Sequence, residues 1–272
     1  MNDLLFEVVD HVGIIRLNRP ESLNAFSHEM IRLWIESLEE IRDNDDIYVG
    51  IVTGNGRAFC AGGDTKAMLS GDGLMAKTRG EKDDFVTSPL RVKHGLWKRI
   101  QRIPLLMEEI DKPMIAAING AAIGAGLDMA LMCDIRYSSD QAKLGEGYIK
   151  AGIVPGDGGG YYLPRIVGID KALELFWTGK ILTAEEALEI GLVSKVVPHD
   201  QLMDQTLAFA HQLCEGPQEV IRMMKRTVYQ GLTMNLRQSL DMVSSFMALA
   251  VYHPDHQEAV RAMSEKRKPR FR

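Results

Sequence analysis

Two glycine-rich stretches about sixty residues apart constrain this chain more than any other feature: Ala58-Phe59-Cys60-Ala61-Gly62-Gly63-Asp64 and Asn119-Gly120-Ala121-Ala122-Ile123-Gly124-Ala125-Gly126-Leu127-Asp128. Each reads as a strand that ends, leaves main-chain N–H groups bare, and enters a helix with a carboxylate close behind. An isolated Gly-Gly is most simply a turn in which glycine supplies positive φ. The second stretch adds weight, because Gly124-Ala125-Gly126 sets small residues directly before a helix, where amides are unsatisfied and the dipole is positive. Small residues also let a ligand reach the main chain. Two such amides converging on one point form an oxyanion hole, which binds a carbonyl oxygen more tightly as negative charge develops on it.

Around these stretches the apolar pattern alternates between strands and helices. Leu5 to Asn18 reads as a hairpin turning at Asp10-His11-Val12-Gly13, and Pro20 stops it. From Ser27 a helix follows, with Met30, Leu33, Trp34, Leu38 and Ile41 on one face. Ile47 to Thr53 reads as a strand. Residues 70 to 90 are polar and glycine-bearing and read as a loop, a candidate lid. A helix is expected from Val92 to Glu109, kinked or broken by Pro104. Met114 to Ile118 and Ile135 to Ser138 are further strands. Thr183-Ala184-Glu185-Glu186 is a capping box, and Val193 to Val197 is the last strand. Beyond it the chain is helical, with breaks at Gly216-Pro217, near Gly231 and at His253-Pro254. Strands alternating with helices, then helices alone, argue an α/β core, residues 1–198, with a helical C-terminal region, residues 199–272. No fixed-period repeat is visible.

At 272 residues and 46% hydrophobic content the chain can bury a sizeable core. Its 32 basic and 37 acidic residues give a net charge of −5 and are interspersed, so no nucleic-acid surface is expected beyond the short basic tail Lys266 to Arg272. Cys60, Cys133 and Cys214 form no Cys-x-x-Cys pair and fit buried thiols in a reducing, cytoplasmic setting. No signal peptide and no membrane span are expected. No His/Cys/Asp cluster has metal-ligand spacing, and His11, His94, His199, His211, His253 and His256 read as surface or structural residues.

The sequence resembles the crotonase, or enoyl-CoA hydratase/isomerase, superfamily. The resemblance runs through Pro20-Glu21-Ser22-Leu23-Asn24-Ala25, Ala58 to Lys66, Asn119 to Asp134, Gly152 to Arg165 and Glu265-Lys266-Arg267-Lys268. It implies a spiral of ββα units with a C-terminal helical trimerisation region, assembled as a homotrimer or hexamer. It also implies an acyl-CoA thioester substrate in fatty-acid metabolism, bound so that its enolate is stabilised, with no cofactor beyond the coenzyme A that the substrate carries.

Carried over by motif, the resemblance assigns the oxyanion-hole amides to Gly63 and Ala125, with alanine where the family usually has glycine. Leu23, Ala25, Ala61, Gly62 and Asp64 become walls of the CoA groove. Lys66 is either a neighbour of the nucleotide phosphates or a solvated lysine at a helix start, and Lys268 and Phe271 of the tail are further CoA contacts. Hydratases of this family usually carry two glutamates that hold a water. The first falls on Asp128 and the second on Tyr148, whose phenol is a poor base at neutral pH but can donate a hydrogen bond. Asp157 lies in the loop where the family places a water-holding glycine amide, here Gly156. It reads as a catalytic carboxylate or as a turn or cap ahead of Tyr161. Glu146 joins the group if its segment is extended.

The implied reaction is addition of water to the 2,3 double bond of an enoyl-CoA. Isomerisation, dienoyl-CoA hydration and hydrolytic C–C cleavage are the alternatives that Tyr148 leaves open. A non-catalytic CoA-binding or RNA-binding protein is the reading from a different class.

Overall fold

The computed structural model describes residues 2–64, 67, 69 and 89–271. Lys66 and nearly all of the stretch read as a lid lie outside the described residues. Strands β1 (Leu4–Val9) and β2 (Val12–Leu17) form the expected antiparallel hairpin. Its two-residue turn holds Asp10 and His11 at φ 47° and 68°, the left-handed geometry that matches the twist of paired strands. A short 3-10 helix, Pro20–Ser22, then ends on Leu23 and Asn24, both at positive φ. Helix α1 (His28–Asp43) starts where the Ser27 hydroxyl accepts from the Met30 amide, and it buries Met30, Trp34, Leu38 and Ile41.

Strands β3 (Val49–Gly54) and β4 (Ala58–Cys60) follow, then helices α2 (Pro89–Lys98) and α3 (Arg102–Glu109). The break between these helices falls at Arg99–Gln101 rather than at Pro104. Pro104 sits in the first turn of α3, where a missing N–H leaves no intrahelical bond unmade.

Strands β5 (Met114–Ile118) and β6 (Ala121–Ile123) lead into α4 (Ala125–Leu131), a helix buried along its whole length. After β7 (Ile135–Ser139) and β8 (Lys143–Gly145), a 3-10 turn over Gly147–Ala151 precedes α5 (Gly159–Val167) and α6 (Ile169–Thr178). Strand β9 (Ile181–Thr183), α7 (Ala184–Glu189) with its capping box, and β10 (Lys195–Val197) complete the alternating part. Helices α8 (Leu202–Cys214), α9 (Gln218–Gly231), α10 (Leu236–Tyr252) and α11 (Pro254–Glu265) follow.

The strands form two sheets. One has the order β1-β2-β3-β5-β7-β10, parallel from β2 onward. Its central strand β5, Met-Ile-Ala-Ala-Ile, is buried on both faces, as parallel strands covered on both sides must be. One face packs on α1 and α3. The other is covered by α8, which lies past residue 198 yet contributes Leu202 and Ala210 to the core with Val12, Ile51 and Ile115. The second sheet, β4-β6-β8-β9, is made of three-residue strands. It is the sheet that carries both glycine-rich stretches.

Candidate active site

Strands β4 and β6 pair in parallel, Ala58 with Ala121 and Cys60 with Ala122, so the two glycine-rich bends leave the same sheet edge side by side. Contact between them is main chain to main chain. A Cβ on Gly126 would stand 2.1 Å from the Cys60 carbonyl oxygen, and one on Gly120 would stand 2.2 Å from that of Arg57. Gly62, at φ 78°, is so close that a Cβ would meet the Ile123 carbonyl oxygen at 2.8 Å and the Ala125 nitrogen at 3.2 Å. Ala125 opens α4, where first-turn amides have no partner inside the helix. Among the described residues, the Gly63 and Ala125 amides donate to no main-chain or side-chain acceptor.

The segment before α1 lies along the first bend. The Ala61 amide donates to the Leu23 carbonyl at 3.0 Å, and the Phe26 amide donates to the Gly62 carbonyl at 2.8 Å. Leu23, Ala25, Ala61 and Gly62 therefore form one wall beside the bare amides. Asn24 and Asn119, both buried, clamp this wall through their donations to the Ala58 carbonyl at 2.8 and 3.2 Å. Asp64 has local partners: the Arg19 guanidinium lies 3.4 Å away, and the Ala67 amide donates to its Oδ1 at 3.1 Å.

Opposite the bend, the Gly124 amide donates to the Gly145 carbonyl at 2.8 Å, tying α4 to the end of β8. This brings the Tyr148 ring to within 3.9 Å of a Cβ built on Gly124. The Tyr148 hydroxyl donates to Asp128 Oδ2 at 2.6 Å and lies 3.2 Å from Asp157 Oδ2. The glycine run ahead of α5 is explained by the same carboxylate, since a Cβ on Gly159 would stand 2.2 Å from Asp128 Oδ1. The Gly156 carbonyl accepts from Gln101 Nε2 at 2.7 Å, which anchors this loop to the segment between α2 and α3.

Burial ranks the groups by access: Asp128 and Glu146 are 0% exposed, while Asp157, Tyr148 and Ala125 retain 7%, 8% and 7%. Burial pushes the Asp157 carboxyl up to about 6, against the lowering effect of the Tyr148 hydrogen bond. Burial raises Asp128 as well, opposed by the Tyr148 donor and reinforced by the nearby Asp157 charge. Glu146 is raised by burial first and by the Asp128 charge second. Burial and the surrounding carboxylates push the Tyr148 phenol far up, so it is a neutral donor at any physiological pH. Cys60, beneath the Gly62 bend, is pushed up to about 12 by burial and is an inert thiol.

The sequence pattern described as enoyl-CoA hydratase/isomerase matches residues 7–272. The chain belongs to the enoyl-CoA hydratase/isomerase family. A Mycobacterium tuberculosis protein described as "Probable enoyl-CoA hydratase echA8" is 35% identical over 268 residues, covering 98% of this chain and 97% of that one. The short-chain-enoyl-CoA hydratase of Clostridium acetobutylicum is 31% identical over 269 residues, covering 98% of this chain and 97% of its own. Among solved structures, the enoyl-CoA hydratase of Bacillus anthracis superposes with a TM-score of 0.88 at 30% identity, covering 99% of this chain and 98% of that one. The fold is therefore the crotonase fold, including its C-terminal helices.

Within this family frame, the structure brings Asp128, Tyr148 and Asp157 together and sets Gly63 and Ala125 on adjoining bends. In the tail, the Lys268 ammonium lies 2.6 Å from Glu215 just past α8, and the half-buried Phe271 follows Arg270, whose amide donates to Glu258 of α11. Glu146 joins the carboxyl cluster without strand alternation: Glu146 itself is extended, at φ −91° and ψ 91°, but Gly147 and Tyr148 already belong to the 3-10 turn, so the segment is not the extended one that alternation required.

Proposed function

We propose that this enzyme adds water across the 2,3 double bond of an enoyl-CoA thioester. The observation that carries the reading is the meeting of the Gly62-Gly63 bend with the start of α4, amides bare, beside Tyr148 and Asp157. In this reading the thioester oxygen accepts from the Gly63 and Ala125 amides. Each donor of this kind is worth roughly 2.7–4 kcal/mol as the oxygen becomes an enolate.

Asp157, ionised, takes a proton from water as the water oxygen bonds to C3, and the electron pair of the double bond moves through C2 onto the thioester oxygen. The proton then passes to C2 and the enolate returns to thioester. One water O–H bond breaks, and one C–O and one C–H bond form. Asp128 has no exposed surface, so it acts through Tyr148, which it holds with the hydroxyl oxygen beside Asp157. Leu23, Ala25, Ala61, Gly62 and Asp64, with Lys66, Lys268 and Phe271 as further contacts, would hold coenzyme A.

We place the trimer contacts on the C-terminal helices. Val228, Leu232, Leu236, Leu240 and Met247 are exposed there, more apolar surface than a monomer keeps in water. Light scattering at a trimer or hexamer mass supports this; a monomer overturns it.

Hydration of crotonyl-CoA tests the reaction. Saturable turnover to the 3-hydroxyacyl-CoA is expected. Negligible turnover by a protein with an intact fold overturns the hydratase reading and turns attention to isomerase, dienoyl-CoA and C–C hydrolase substrates.

A further inference from the structure

Glu146 brings a third carboxyl into a site whose proposed chemistry uses two. Its side chain has no exposed surface, and neither of its oxygens has an aligned donor among the described residues; the same holds for Oδ1 of Asp128, within hydrogen-bonding reach of it. Carboxylates only accept hydrogen bonds, so two of them cannot satisfy each other. Two such charges in a dry pocket also do not ionise together. One proton between them resolves both problems, because a carboxylic acid donates to a carboxylate.

Geometry decides which of the two holds the proton. Asp128 already has the Tyr148 hydroxyl at 2.6 Å and the Gly159 amide beside it, both favouring its charged form. Glu146 has no such donor. The other groups around it are Tyr148, two residues on, and Asp157 before α5, neither of them a cation. From the turn ahead of β9, Lys180 directs its ammonium to Glu186 at 3.0 Å instead.

We propose that Glu146 is a positioning residue that stays protonated and donates its carboxyl hydrogen to Asp128, keeping Asp128 charged and therefore keeping the Tyr148 hydroxyl aimed. The rate consequence rests on the hydratase reading above; the proton's location does not.

The test compares Glu146→Gln, which keeps a donor, with Glu146→Leu, which does not. In the infrared spectrum of the wild-type protein in D2O near neutral pH, a protonated-carboxyl C=O band is expected, lost in Glu146→Gln. Glu146→Gln is expected to retain kcat and the acid limb of its pH profile. Glu146→Leu is expected to move that limb about one pH unit upward, about a tenfold loss of kcat below neutral pH, with KM unchanged and activity recovered at higher pH. Absence of a neutral-pH acid band removable by Glu146→Gln overturns the proposal, as does an unmoved limb in Glu146→Leu or an equal shift in both variants. If crotonyl-CoA is not turned over, or Glu146→Leu does not fold, the infrared band alone decides.

Discussion

The Tyr148 hydroxyl donates to Asp128 at 2.6 Å while its oxygen stays 3.2 Å from Asp157. A phenol has one hydrogen, so it goes chiefly to Asp128 at the shorter distance, and Asp157 receives a weaker share that favours its charged form. Tyr148 thus links the two carboxyls through one hydroxyl. Tyr148→Phe keeps the ring beside Gly124 but removes this contact. Steady-state kinetics is expected to show kcat lower by about a hundredfold with KM little changed.

Asp128 is buried behind that hydroxyl and has no exposed surface of its own. Asp128→Asn is nevertheless expected to lower kcat by more than about a hundredfold, because the amide holds Tyr148 without charge and can offer its own hydrogen in the wrong direction. Calorimetric titration with coenzyme A is expected to give near-wild-type affinity. An unchanged rate removes Asp128 from the mechanism.

The pH dependence has a defined sign. A folded-state pKa raised from 3.8 to about 6 at Asp157 means that the folded protein binds more protons than the unfolded chain in that interval. Stability from this group is full below the unfolded value and is lost as pH rises through the folded value. Asp157→Asn removes the penalty. Urea unfolding is expected to show the variant gaining on wild type between about pH 4 and about pH 8, by at most about 3 kcal/mol. In the wild type, kcat/KM is expected to fall below the same value of about 6, where the base is protonated. A turn or cap aspartate would show the opposite stability change and an unaltered rate per folded molecule.

Two glycines separate packing from chemistry. Gly126→Ala sets a methyl 2.1 Å from a main-chain oxygen, so β4 and α4 must part; a loss of about 1–3 kcal/mol is expected in thermal melts. Gly62→Ala meets a φ of 78° and the Ala125 nitrogen at 3.2 Å. It is expected to fold with a smaller loss, of about 1–2 kcal/mol, while kcat falls by about a hundredfold because the two amides no longer converge.

Much of this was legible in the sequence. Asp10-His11, Ser27, Thr183-Glu186 and the breaks in the C-terminal helices carry local chemistry, turns and caps, that acts within a few residues. The six-stranded sheet follows from runs such as Met114 to Ile118. The small second sheet was harder to read, because strands of three residues such as Lys143–Gly145 have no periodicity to detect. Its pairing of β4 with β6 is a contact across sixty residues that only the folded chain displays. The depth of Asp128 relative to Tyr148 and Asp157 was equally hidden, since spacing along the chain does not say which carboxyl lies behind which. Gly159 is the residue that fixes that depth, and in sequence it is one more glycine in a glycine run.

The proposed hydration depends on two main-chain amides gripping one thioester oxygen. Its most direct measurement is the isotope-edited vibrational spectrum of an unreactive acyl-CoA analogue labelled at the thioester carbonyl. Bound to the wild-type protein, the C=O band should shift to lower frequency, and Gly62→Ala should return it most of the way toward its position in water. A saturated complex whose band stays where water leaves it would mean that these amides do not hold the thioester oxygen.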